Sequence, residues 1–251
     1  MSCGNNCAGC TCNNVAVGSS GSATGETHVV TVPSIIDDKT QEFFPWVTQE
    51  IKDSPLASDT LIDHLCISYP EKPLFSPYVR TKTAKDTQGR GIPSYGSSST
   101  GSDMRCDGKV LVFKGGENDI VDPRNVDPSL FEELPVFEDD TGKYVLIPPK
   151  SFTLTASLEW VNIPRTHMAI VNTKSTYARS GLQTLTTPLE ASWSGIVTLE
   201  FVNNTNSKIK LYTEGGVVQV NLIRSHGVYK DYVQAGGKYQ NQSNGVNHAR
   251  S

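Results

Sequence analysis

Gly195–Phe201 reads "GIVTLEF". Successive side chains of a strand point to opposite faces. Val197, Leu199 and Phe201 therefore share one face, and Ile196, Thr198 and Glu200 share the other. The first set makes a core face. Glu200 is the one charged residue in an otherwise apolar or small strand. Taken alone, the strand puts Glu200 on a wet outer face, the usual place for a strand carboxylate. The competing reading is a pocket wall, where a carboxyl can be held with a raised pKa.

Outward from this stretch the same pattern recurs. "KVLVF", "YVLIPP", "SFTLTASLEWVNIP", "HMAIV", "KIKLY" and "GVVQVNLIR" all read as strands punctuated by turn residues. Many short strands and few helices predict an all-β barrel or sandwich. "SDTLIDHL" is the clearest helix, with Ser58 or Asp59 as its cap and Leu61, Ile62 and Leu65 as its apolar stripe. "HVVTVPSII" reads as a strand ending at Pro33. Weak helical spacing at Phe43, Val47 and Ile51 is opposed by Pro45. "GRGIPSYGSSSTGSDMR" reads as a glycine- and serine-rich loop.

The chain has 251 residues, a formal net charge of −4 and six cysteines. It has no basic excess or stripe, so a general nucleic-acid partner is not expected. No apolar run reaches bilayer length, and no membrane partner is expected. The N-terminus lacks a secretory-signal pattern, which points to the cytoplasm, or to host cytoplasm for a viral chain. Cys3, Cys7, Cys10 and Cys12 crowd the start. They fit either a thiolate metal clip or a flexible Cys/Gly/Ser-rich tail over 1–26, and the surrounding Gly, Ser and Asn favour the tail. Residues 27–57 read as an N-terminal extension and 58–251 as the main domain.

Between two strands lies Lys174–Leu182, "KSTYARSGL". Lys174 or Ser175 can begin a single helical turn, with Gly181 closing it in a left-handed conformation. Ser175 and Arg179 then stand four apart on one face. Lysine, hydroxyls and exposed amides suit phosphate oxygens. The plain alternative is a polar cap between strands. "GGKYQNQSNGVNHARS" at the C-terminus offers Lys238, Tyr239 and Gln242 for a lid, or a loose polar tail. The zinc-deaminase pattern of His-x-Glu with Pro-Cys-x-x-Cys is absent, as are His-Glu-x-x-His and Gly-x-Ser-x-Gly.

Together, "SYGSSSTGSDMRC", "VDPRNVDPSLFEE", "LIPPKSFTLTASLEWVNIPR", "KSTYARSGL", "TPLEASWSGIVTLEF", "GGVVQV" and "GGKYQNQ" resemble, in order and spacing, the dCTP deaminase family of the trimeric dUTPase-like superfamily. The resemblance runs from about Ser58 to the end. It implies a mainly β, dUTPase-like distorted β-barrel or jelly-roll with a few short helices, assembled as a homotrimer. It implies hydrolytic deamination of dCTP to dUTP and ammonia, with Glu200 as general acid–base and Ser175 and Arg179 as its catalytic partners. Lys174 and Thr176 match positions near the phosphates, and Glu190 one near the deoxyribose. The strand backbone around Ile196 is suited to reading the base edge. Lys238, Tyr239 and Gln242 match residues that close over the triphosphate. Gln219 and Tyr232 match further ligand-contacting positions. Magnesium is expected with the triphosphate, and no catalytic zinc. Departures include "STGSD", where relatives often read "SYGYD", and Thr173, where glycine is common. A bifunctional deaminase/dUTPase or plain dUTPase is an alternative, since "YARSGL" is close to the dUTPase "PRSGLA". A non-catalytic nucleotide-binding protein on the same fold is a third.

Overall fold

In this computed structural model residues 47–249 are described, Thr186 and Asn244 excepted. The cysteine cluster, the rest of the 1–26 tail and the strand expected at "HVVTVPSII" lie outside the described residues, as does Phe43. Helical structure among the described residues is confined to α1 (Gln49–Asp53), α2 (Asp59–Ile67), the short α3 (Ser175–Ala178) and a 3-10 turn, Pro128–Leu130. None of these helices is long and apolar enough to cross a membrane.

Strands dominate. One sheet is ordered β11 (Leu182–Thr184), β13 (Ser194–Asn203), β9 (Phe152–Asn162), β5 (Leu111–Phe113), β6 (Phe131–Glu133), with β1 (Phe75–Ser76) also pairing with β9. A second is ordered β12 (Pro188–Leu189), β10 (His167–Thr173), β15 (Gly216–Arg224), β4 (Gly101–Arg105), β3 (Gly91–Ser98), β2 (Thr83–Lys85). A third holds β14 (Ile209–Tyr212), β8 (Gly142–Ile147) and β7 (Val136–Asp139). One apolar cluster draws side chains from all three sheets and from α2, including Leu61, Met104, Ile147, Val171, Phe201 and Val220. This is the distorted β-barrel that the resemblance implied.

Local chemistry explains the elements. Leu61, Ile62 and Leu65 of α2 are buried as their spacing predicts. Ser58 holds the cap position of α2 without a side-chain capping bond, and Asp59 Oδ1 takes the Thr60 amide instead, at 2.7 Å. On β13, Val197, Leu199 and Phe201 are buried, while Ile196, Thr198 and Glu200 are half-buried on the other face. The β13–β9 register shifts between Ile196 and Thr198. There the Val197 amide donates to Ser157 Oγ at 2.9 Å, so the bulge leaves no buried donor unpaired.

The loop expected over 89–105 is instead largely the β3–β4 hairpin. Gly and Ser are poor strand formers where side chains must pack. Here other backbone comes too close for side chains: a Cβ on Gly101 would lie 2.6 Å from Val220 O, and one on Gly216 of the second sheet would lie 2.1 Å from Ser94 O. Small residues are needed for that approach, and composition alone hides the strands.

A buried ion pair ties this hairpin to the first sheet. Arg105 Nε lies 2.7 Å from Glu159 Oε1, and the Arg105 amide donates to Glu159 Oε2 at 3.0 Å. The Arg105 guanidinium also stacks 4.4 Å over the Tyr95 ring. Burial raises the Glu159 pKa, and Arg105 acts against that rise. Arg105→Met leaves this carboxylate uncompensated and should cost roughly 3–5 kcal/mol at neutral pH. The double variant Arg105→Met/Glu159→Leu should recover most of that loss, as read by urea unfolding.

Candidate active site

Glu200 sits on the outer face of β13, cross-strand from Leu154 of β9. It lines a cavity of about 960 Å³. The wall on one side is apolar: Phe113, Phe131, Phe152 and Leu154 from the sheet, with Val121 and Val126 from the loop before the 3-10 turn. Polar lining comes from Glu190, Tyr232, Lys238, Tyr239 and Gln242. Burial pushes the Glu200 carboxyl up to about 7, opposed only by hydrogen bonding at its own backbone. The wet-face reading of Glu200 thus gives way to the pocket reading. The strand pattern could not decide this, because what covers the outer face comes from distant segments.

The C-terminal segment makes the polar wall by pairing with the start of β13. Gly195 and Gln242 form a parallel bridge. The Asn241 amide donates to Ser194 O at 2.8 Å, and the Ile196 amide donates to Gln242 O at 2.8 Å. Gln242 Nε2 donates to Ile196 O at 2.7 Å. Both backbone groups of Ile196 are thus held by Gln242. Gly195 is required here: its φ is +154°, and a Cβ would lie 2.9 Å from the Gln242 amide nitrogen. Trp193 Nε1 donates to Tyr239 O at 3.1 Å, and the Tyr239 amide donates to the Tyr232 hydroxyl at 3.0 Å.

The "KSTYARSGL" turn is built as expected: a single helical turn closed by Gly181 at φ +86°. Ser175, Thr176 and Arg179 are exposed on it. No hydrogen bond or ion pair of the Ser175 hydroxyl or the Arg179 guanidinium is formed with the described residues. Neither residue lines the Glu200 cavity. The turn is tied to the far end of β13, where the Asn204 amide donates to Gly181 O at 3.0 Å. Asn204, just past the end of β13, is four positions and roughly 13 Å of extended chain from Glu200. Thr176 borders a separate hollow of about 430 Å³, with Ser180, Lys208 and Lys210.

Lys174 and Gln219 are placed elsewhere. The Lys174 ammonium is buried, donating to Ser94 O at 2.6 Å and Ser94 Oγ at 2.9 Å and pairing with Asp103. Gln219 Nε2 donates to Ser98 Oγ at 3.0 Å and to Asp103 Oδ1 at 3.3 Å. Of the residues named from sequence, one chain therefore brings Glu190, Glu200, Tyr232, Lys238, Tyr239 and Gln242 to one cavity, with Ile196 beside them. Ser175, Thr176, Arg179, Lys174 and Gln219 are not brought there. Trp193, Thr198, Asn247 and His248 also line the cavity and were missed. Trp193 lies within a quoted motif, whereas the tail residues carry no periodic signal. Among the described residues no group of three or more His, Cys, Asp or Glu could hold a metal ion.

Comparison with known proteins gives the family. Residues 85–225 match the model of the dCTP deaminase-like family. A dCTP deaminase of Acidithiobacillus ferrooxidans is 42% identical over 189 residues, covering 75% of this chain and 95% of the relative. One of Burkholderia cenocepacia is 40% identical over 173 residues, covering 68% and 88%. The crystal structure of 2'-deoxycytidine 5'-triphosphate deaminase from Agrobacterium tumefaciens aligns with a TM-score of 0.46 and 12% identity, over 74% of this chain and about half (52%) of that one. A family model matched over more than half of the chain, with relatives 40–42% identical over 68–75% of it, establishes that the chain belongs to the dCTP deaminase family.

Proposed function

We propose that the protein hydrolyses the amino group of dCTP, giving dUTP and ammonia, as a homotrimer with active sites between subunits. The observation that carries the chemistry is Glu200: a carboxyl raised by burial to about 7, inside a nucleotide-sized cavity. A group titrating near neutrality can both accept and return a proton. Water attacks C4 of cytosine as Glu200 takes one of its protons and delivers it to N3. The second proton passes, again through Glu200, from the new C4 hydroxyl to the amino group. The C–N bond then breaks and ammonia leaves, with a carbonyl at C4 and a proton on N3 in the product.

The shared site is supported by the separation of Glu200 from Ser175 and Arg179 within one chain. The exposed hydroxyl and guanidinium on the turn are suited to meet a neighbour's cavity, position the water and share developing charge. Glu190 is suited to the deoxyribose, and Lys238 and Tyr239 to the triphosphate. Lys174 is engaged with Asp103, so the Thr176 hydroxyl is the better phosphate donor from the turn. Magnesium enters with the substrate on the triphosphate oxygens. We place the reaction in the cytoplasm.

Glu200→Gln should lower ammonia release at least 10²–10⁴-fold while dCTP still binds; calorimetry and product analysis for ammonia and pyrophosphate check both points. Pyrophosphate release would redirect the reading to a bifunctional enzyme. In the parent, kcat should fall about tenfold per pH unit below about 7, as the carboxylate that accepts the water proton is lost. The same raised pKa means that stability is lost as pH rises from 4.5 to about 7, where the unfolded chain ionises and the folded one does not, and the full cost persists above that. Glu200→Gln should therefore raise Tm more at pH 8.5 than at pH 5. Mixing inactive Glu200→Gln and Arg179→Ala trimers after dissociation should restore part of the activity, since some interfaces then hold an intact carboxyl and guanidinium. No recovery in verified mixed trimers would sink the shared site.

A further inference from the structure

Beyond Gln242 the chain continues to a second anchored point on the cavity. The Asn247 amide donates to Thr198 Oγ1 at 3.3 Å, and the Val126 amide donates to Ala249 O at 3.2 Å. Residues 247–249 thus bridge β13 and the loop before the 3-10 turn. Between these anchors the His248 ring packs on Phe131, with centroids 4.8 Å apart. Phe131 is the middle of an aromatic row, 5.4 Å from Phe113 and 6.3 Å from Phe152. His248 Nδ1 is buried without a hydrogen-bond partner among the described residues. Gly245, at φ +93° with open space around it, supplies the bend that leads into this crossing.

We propose that residues 247–249 are a strap over the apolar end of the Glu200 cavity, and that His248 is a positioning residue that acts on catalysis by keeping water from the Glu200 carboxyl. This rests on the reading of Glu200 as the acid–base group. Thr198, the anchor, lies on the same face of β13 as Glu200 and about 7 Å along the strand from it. The titratable groups lining the cavity with Glu200 are Glu190, Tyr232, Lys238, Tyr239 and His248, while β9 presents Phe152 and Leu154. Burial lowers the His248 pKa, so the imidazole is neutral at neutral pH. It works there as a wall, not as a counter-charge. Gln242 is anchored on Ile196, whereas residues 247–249 are anchored on Thr198 and Val126, so the strap has its own attachment points.

The test compares His248→Ala, His248→Phe and Glu200→Gln in the full-length protein. The readouts are the pH profile of kcat and an infrared titration of the Glu200 carboxylic C=O band, taken as the difference from Glu200→Gln. In His248→Ala, water reaches the cavity, and both the acid limb and the infrared midpoint should fall by about one pH unit. His248→Phe keeps the wall and should keep both near the parent values. A purely structural role would lower kcat at every pH and leave the infrared midpoint in place, which would overturn the strap. Equal shifts in the Ala and Phe variants would also overturn it, by pointing to imidazole titration. If Glu200→Gln retains parental turnover, the acid–base reading falls, and the strap's catalytic role with it. If Glu200→Gln is inactive and His248→Ala leaves the midpoint unmoved, the strap alone falls.

Discussion

The period of two along β13 is the constraint on which the rest depends. Phe201 lies opposite Thr153 and Glu200 opposite Leu154. The same strand therefore delivers its apolar set to the core and its carboxyl to the outer cavity. A slip of one residue would reverse both assignments at once, driving Glu200 into hydrocarbon and Phe201 out of it. Pairing of β13 with β9 on one edge, and with β11 and the C-terminal segment on the other, holds that register. Fold and site are specified by one set of contacts.

Covering the outer face is what raises the pKa of a strand glutamate. In water such a side chain is an ordinary carboxylate. In a cavity lined by Phe131, Val126 and the returning C-terminal residues, burial pushes its pKa up to about 7. The cavity opposes stability, since an ionised group is held where it is poorly hydrated. A site retained against that cost is the usual compromise between activity and stability.

How far the sequence discloses this depends on distance along the chain. Strand alternation in "GIVTLEF", the α2 stripe and the Gly181-closed turn are local patterns, and each is found. The β3–β4 hairpin is not legible, because its glycines answer to Ser94 and Val220 backbone that only folding brings near. The fate of Glu200 depends on loop residues near 121–126 and on the chain beyond 238, so its strand alone points the wrong way. Only the ordered set of motifs, taken as a family resemblance, marks Glu200 as functional. Lys174 shows the opposite difficulty: a motif lysine that the resemblance puts near the phosphates is buried against Asp103.

The strand order also decides what the folded chain declines to join. The edge strands β11 and β6 of the first sheet, and β12 and β2 of the second, have three, three, two and three residues. The longest strands, β9 with 11 residues and β13 with 10, lie inside their sheet. A passing polypeptide finds only brief runs of open amide and carbonyl at these borders, too short to template cross-β growth. A fold whose regular structure is mostly strand among the described residues is thereby guarded against amyloid-like stacking at the borders of its two large sheets.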